Sequence, residues 1–108
     1  ANPTSMRAAI DNFARHKHEN KIVFLGAMME LGESSMTEHR EIVSLLQKLG
    51  LKNTVLVGGD FGKVNHPFTY FPDVDKALEW ARDQHFEQSL VLIKGSRSVK
   101  MEKLTEAF

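Results

Sequence analysis

Cysteine is absent from the 108 residues, which removes disulfide scaffolds, thiolate catalysis and cysteine-ligated zinc sites from consideration. The absence also fits a reducing compartment. An excess of charge of either sign is missing too: fourteen Lys and Arg offset fourteen Asp and Glu. A neutral chain without a basic block gives no electrostatic reason to expect nucleic acid or an anionic membrane as a partner. No apolar run approaches the roughly 20 residues of a membrane span. No charged segment leading into an apolar stretch reads as a signal peptide. The expected location is the cytoplasm.

What remains is ordinary globular material, 42% hydrophobic and 26% charged, enough for one core in one domain. The opening Ala1-Asn2-Pro3 has no methionine and no element before it, and reads as a fragment boundary. Asn2 suits an N-cap and Pro3 the first helical position. Met6, Ala9, Ile10, Phe13 and Ala14 then follow helical spacing. Ile22–Leu25 is a continuous apolar run closed by Gly26, the pattern of a strand covered on both faces. Ser35 and Glu38 have capping-box spacing ahead of a helix buried through Ile42, Leu45, Leu46 and Leu49, with Gly50 at its C-terminal cap. Further strands are predicted at Thr54–Val57, Phe68–Phe71 and Leu90–Ile93, the last also buried. Asp73 is expected to cap a helix with Val74, Ala77, Leu78 and Ala81 inward. A last helix would turn Met101, Leu104, Thr105 and Phe108 inward.

This alternation predicts an α/β fold: a Rossmann-like, mostly parallel sheet with helices on both faces. Ligands in such sheets bind outside the carboxyl ends of the strands. Four loops qualify: residues 26–35, 58–65, 72–73 and 94–98.

Several motifs in or near these loops fail on inspection. Gly58 to Lys63 resembles part of a Walker A loop, but Val57 and Val64 stand where Gly and Ser or Thr are needed. Asp60-Phe61-Gly62 matches a kinase triplet in a chain too short for a kinase. Both are read as a glycine-rich turn after a strand. No G-x-G-x-x-G follows a strand. The histidines show no ligand spacing, so no metal site is expected. His39 differs, because it sits in the first turn of a helix bordering the crevice, where a neutral imidazole is favoured; a solvated helix residue is the plainer reading.

Two segments are more informative. Lys94-Gly95-Ser96-Arg97-Ser98 brings a guanidinium, two hydroxyls and a glycine-containing turn to the end of a strand. An arginine fork matches a carboxylate or phosphate with two parallel bonds, so the turn reads either as an anion site at a helix N-terminus or as a capped helix with an exposed arginine. Gly26-Ala27-Met28-Met29-Glu30-Leu31-Gly32 places apolar residues where a loop should be polar. Such a loop packs on its own domain or meets a partner domain or ligand.

Taken together, Ala1-Asn2-Pro3-Thr4-Ser5-Met6, Leu25-Gly26, Met28, Glu30-Leu31-Gly32, His39, Lys94-Gly95-Ser96-Arg97-Ser98 and Met101-Glu102 resemble the C-terminal domain of the Mur ligases, and within that family the branch that adds D-alanyl-D-alanine. The resemblance runs the full length. Two departures stand out. The family pattern begins with a Tyr-Asn and a strand ahead of the alanine, so residues 1–108 are expected to be a fragment of a three-domain enzyme lacking its first strand. Ala27 stands where the family commonly has an acid, so no polar role is carried over to it.

The resemblance implies an ATP-dependent ligase that joins D-Ala-D-Ala to UDP-N-acetylmuramoyl-tripeptide. Its N-terminal and central domains would be this chain's partners, and the central one would hold most of the ATP and Mg²⁺. Within this chain, the resemblance implies that Ser96, Arg97, Lys94, Glu30, Leu31, Gly32 and His39 border the substrate and that Asn2 and Pro3 lie near the nucleotide. No residue here is expected to be catalytic, and the isolated domain is expected to be inactive because it has no P-loop. The alternative is a stand-alone α/β nucleotide-binding or interaction module.

Overall fold

Asn2 does open a helix, with one more bond than the sequence suggests. Its Oδ1 accepts the Ser5 N–H at 2.8 Å, and the Ser5 hydroxyl oxygen accepts the Asn2 N–H at 3.1 Å. This is a reciprocal capping box, which satisfies two otherwise orphaned donors. In the computed structural model, which describes residues 1–108, the helix α1 spans Pro3–Arg15 and buries Met6, Ile10 and Phe13. There follow β1 (Lys21–Gly26), α2 (Ser35–Lys48), β2 (Thr54–Val57), β3 (Thr69–Phe71), α3 (Val74–Arg82) and β4 (Leu90–Lys94). Short 3₁₀ turns occupy Gly32–Ser34, Gly59–Gly62, Arg97–Val99 and Met101–Ala107.

The four strands form one sheet in the order β3-β2-β1-β4, and every pairing is parallel. Alternate residues of the central strands feed two cores. Val23, Leu25 and Leu56 pack under α1 and α2 with Phe61. Ile22, Phe24, Val55 and Val57 pack under α3 and the C-terminal turn, with Met101 and Leu104. Burial on both faces is why β1 and β2 read as unbroken apolar runs. Trp80 joins the second core, with its ring 6.4 Å from that of Phe24 and 6.0 Å from that of Phe86.

Asp73 caps α3 through the Lys76 N–H at 2.9 Å, and Val74, Ala77, Leu78 and Ala81 are its buried face. Gly50 follows the end of α2 with φ +69°, a conformation that favours glycine.

Four expectations are corrected. Ser35 does not cap α2; Ser34 precedes it without a side-chain cap bond, and Ser35 is the first helical residue. Its hydroxyl turns sideways to Asp60, while Glu38 pairs with Arg7 at 3.1 Å. Phe68 lies outside β3, its N–H held by His66 Nδ1. β4 is half-exposed along its whole length, because it is an edge strand with β1 as its only neighbour. The last helix is not α-helical: Lys100 takes φ +60° and divides two 3₁₀ turns. Met101 and Leu104 are buried as expected, but Thr105 is exposed and bonds its hydroxyl to the Glu102 carbonyl, and Phe108 is 52% exposed.

The topology now locates a crevice. From β1 the chain leaves through α2 on one face and proceeds to β2 and β3. It returns through α3 to β4 on the other side of β1, and leaves β4 toward the opposite face. The two carboxyl ends that diverge are those of β1 and β4, which makes the gap between them the topological switch point.

Candidate functional site

Gly26 ends β1 and Gly95 follows β4, and their backbones touch. A Cβ on Gly95 would fall 2.9 Å from Gly26 Cα and 2.6 Å from Met101 Cγ. A Cβ on Gly26 would fall 2.7 Å from Met101 Cγ and 3.0 Å from Val99 Cγ1. The floor of the switch point is therefore bare backbone, supported from beneath by Met101 and Val99. No residue larger than glycine fits either position without displacing something.

One wall rises from Gly95. Lys94 and Ser96 are half-buried and Arg97 is exposed. Neither Lys94 nor Arg97 forms an ion pair with any carboxylate of the chain; the acid pairs belong to Arg7, Lys63, Lys76, Arg82 and Lys103. The Ser96 and Ser98 hydroxyls bond each other at 3.0 Å. The expectation of a helix N-terminus here is corrected. Arg97–Val99 is a single 3₁₀ turn whose Val99 and Lys100 amides are taken by the Ser96 and Arg97 carbonyls. The guanidinium, the ammonium and the two hydroxyls are the side-chain groups that this turn can offer an anion.

The other wall rises from Gly26. Ala27 is fully buried, with its N–H on the Val57 carbonyl at 2.9 Å. A Cβ on Gly59 would fall 2.6 Å from its methyl, so position 27 presents no polar group. Met28 is buried, Leu31 packs partly into the core, and Met29 stays 45% exposed. The apolar loop thus packs mainly on its own domain, and one methionine faces outward. Glu30 (φ +61°) and Gly32 (φ +57°) are both left-handed and exposed. For Glu30 this is a sparsely populated conformation.

His39 does not line the crevice. Its ring is fully buried, with Nδ1 2.8 Å from the Ser35 carbonyl and Nε2 accepting the Met28 N–H at 3.0 Å. Phe61 packs edge-on against it, with ring centroids 4.6 Å apart. The helical stripe Ile42, Val43 and Leu46 is buried, and His39 lies three and four residues ahead of its first members, which puts the ring on the same inward face.

Asp60 is the residue that motif reasoning missed. It accepts the Ser35 hydroxyl and lies 3.4 Å from Lys63. The Ser35 bond, aided by Lys63, holds its carboxyl below the ordinary value of 3.8 despite some desolvation. The signal lay in the Asp60-Phe61-Gly62 triplet, whose meaning is local: the acid ties the loop after β2 to the start of α2.

Arg7 sits near the start of α1 and bonds Glu38 and Glu41 near the start of α2. The N-terminal ends of both helices therefore share the carboxyl rim, which places Asn2 and Pro3 on the same edge as the two walls.

The profile of the family described as "Mur ligase, glutamate ligase domain" matches residues 1–97. The chain belongs to the Mur ligase family. It is 32% identical over 116 residues to a UDP-N-acetylmuramoyl-tripeptide–D-alanyl-D-alanine ligase of Rickettsia prowazekii, a match covering 100% of this chain and 25% of the relative. Among solved structures it resembles the MurF ligase from Thermotoga maritima in complex with ADP, with a TM-score of 0.81 at 25% identity, covering 100% of this chain and 26% of the other. It also resembles MurF from Acinetobacter baumannii, with a TM-score of 0.78 at 33% identity, covering 98% and 25%. The chain spans about a quarter of the length of these relatives.

Asn2 lies on the rim, but its side-chain carbonyl is committed to the helix cap, leaving only its amide free to donate. No group of three or more His, Asp or Glu side chains converges as a metal site would require. No helix is long and apolar enough to cross a membrane.

Proposed function

We propose that residues 1–108 are the C-terminal domain of a three-domain, ATP-dependent ligase that joins D-Ala-D-Ala to UDP-N-acetylmuramoyl-tripeptide, in the cytoplasm, during peptidoglycan synthesis. The reading rests on one observation: two cationic side chains with no acid partner stand beside a bare backbone floor at the switch point, in a chain of this family.

In such a ligase the tripeptide carboxylate becomes an acyl phosphate, and the dipeptide amine displaces the phosphate. Charge builds on phosphoryl and tetrahedral acyl centres, so positioning and electrostatic stabilisation dominate. The N-terminal and central domains hold the UDP sugar, most of the ATP and the Mg²⁺, which neutralises phosphate charge when bound. This chain closes over them. Arg97 receives the dipeptide carboxylate with its fork, Ser96 adds a hydroxyl, and Lys94 raises the local positive potential. Glu30, Leu31 and Gly32 form the facing wall. Asn2 and Pro3 border the adenine and ribose. Met29 gives the closing face an apolar contact that is wet when open and dry when shut. The chain has no P-loop of its own and is inactive alone.

The test is phosphate release by the full-length ligase with ATP, Mg²⁺ and the UDP-linked tripeptide, with and without D-Ala-D-Ala. Release should depend on the dipeptide. Arg97→Ala should raise the dipeptide KM by roughly 10- to 100-fold, the worth of a charge-assisted pair of about 1.5–3 kcal/mol. Release driven by a different amine would place the chain elsewhere in the family, and an unchanged dipeptide KM would remove Arg97 from the acceptor site.

A further inference from the structure

The His39 ring is committed on both nitrogens to backbone groups of opposite kind. The Ser35 carbonyl only accepts, so Nδ1 carries the proton; the Met28 N–H only donates, so Nε2 is bare. Two main-chain groups thus select one neutral tautomer of a fully buried ring. The same ring joins three segments. Met28 belongs to the loop after β1, Ser35 begins α2, and Phe61, against the ring face, belongs to the loop after β2.

The position of the Met28 bond gives it consequence. Beyond it the chain runs through exposed Met29 and left-handed Glu30 before the Ser34 amide and hydroxyl fasten the Leu31 carbonyl at 3.3 and 2.9 Å, and left-handed Gly32 follows. The wall segment is a short span strung between two anchors. The near anchor is the imidazole.

We infer that His39 is a positioning residue: its neutral ring, by accepting the Met28 N–H, sets the course of residues 29–32 and so the wall that faces the incoming dipeptide. The inference rests on the assignment of that wall under Proposed function. His39 touches no substrate and acts only through the backbone it holds.

The experiment compares His39→Gln with His39→Asn in the full-length ligase. Gln places an acceptor near the position of Nε2 and keeps the Met28 bond; Asn reaches the Ser35 carbonyl but falls short of Met28. Both bury a carboxamide, and a purely structural role would lower the folded fraction, and with it kcat, while leaving the dipeptide KM unchanged. We expect the Asn variant to raise the dipeptide KM roughly tenfold, about the value of one hydrogen bond, with the ATP KM unchanged. The Gln variant should stay within about threefold of wild type. Equal KM values in the two variants, or a loss confined to kcat, overturn the inference. Arg97→Ala is measured alongside. If it raises the dipeptide KM and His39→Asn does not, the inference fails and the ligase reading stands; if dipeptide does not stimulate release at all, both fall. Hydrogen exchange on the unmodified ligase supplies a check independent of variant folding. The Met28 amide should exchange at least roughly tenfold more slowly than that of Met29, and equal rates would overturn the anchor.

Discussion

Replacing Gly95 with alanine probes the crevice floor directly. The new methyl would lie 2.6 Å from Met101 Cγ, 2.9 Å from Gly26 Cα and 3.1 Å from Gly26 N, where carbon atoms prefer about 3.5–4.0 Å. Met101 is a flexible thioether and can swing aside; the Gly26 backbone cannot move without dragging β1. Overpacking of this kind costs about 1–3 kcal/mol. The stiffer unfolded chain returns about 0.4–1 kcal/mol. The net expectation is a loss of about 1.3 kcal/mol, a fall in Tm of roughly 5–10 °C for a chain of this size. Gly26→Ala makes the contrast. Its three short contacts, from 2.7 to 3.0 Å, are all to side chains of Met101 and Val99, so it should cost about 1 kcal/mol or less. Urea denaturation of both variants, alone and combined with Met101→Ala, completes two double-mutant cycles. Met101→Ala should relieve most of the Gly26→Ala cost and only part of the Gly95→Ala cost. If Gly95→Ala is no worse than Gly26→Ala, or Met101→Ala rescues both fully, the two backbones are not in contact and the switch-point floor is misassigned.

Two smaller predictions concern the frame. Asp73→Ala removes the cap on the Lys76 N–H and should cost about 1 kcal/mol in denaturant unfolding, while Asp75→Ala, two residues on, loses only an exposed pair with Lys103 and should cost less. Asp60 has a folded pKa depressed below its ordinary 3.8, so its contribution to stability is present above that value and is lost as pH falls through the lower folded pKa. The stability gap between wild type and Asp60→Asn, followed by urea midpoints, should therefore be constant near neutrality and close in strong acid; a gap that widens in acid would contradict the Ser35–Asp60 bond as its cause.

Much of this was legible in the residues because the signals are local. Asn2-Pro3, Asp73 and Gly50 act through bonds to their own neighbours, and the apolar runs of β1 and β2 report burial that the structure provides. The failures are long-range. Leu90–Ile93 looks as buried as Ile22–Leu25, and only the strand order reveals that one lies at an edge and the other in the middle. Ser35 and Glu38 have the spacing of a capping box, but Asp60 and Arg7, twenty-five and thirty-one residues away, claim both side chains. His39 carried a readable signal in its register with Ile42, Val43 and Leu46, which a reading based on helix-end electrostatics passed over. The break at Lys100 has no sequence signature that we can identify. The segments 30–32 and 94–97 were singled out by motif, and the structure adds that they follow two glycines in contact.

Because that floor consists of main chain, it is indifferent to what the walls carry. Residues 29–32 follow Gly26 and residues 96–98 follow Gly95, and the side chains nearest the glycine contact are those of Met101 and Val99. The arrangement works like a hinge plate with interchangeable panels: either panel can be re-cut while the plate, two glycines over a methionine and a valine, keeps the same fit.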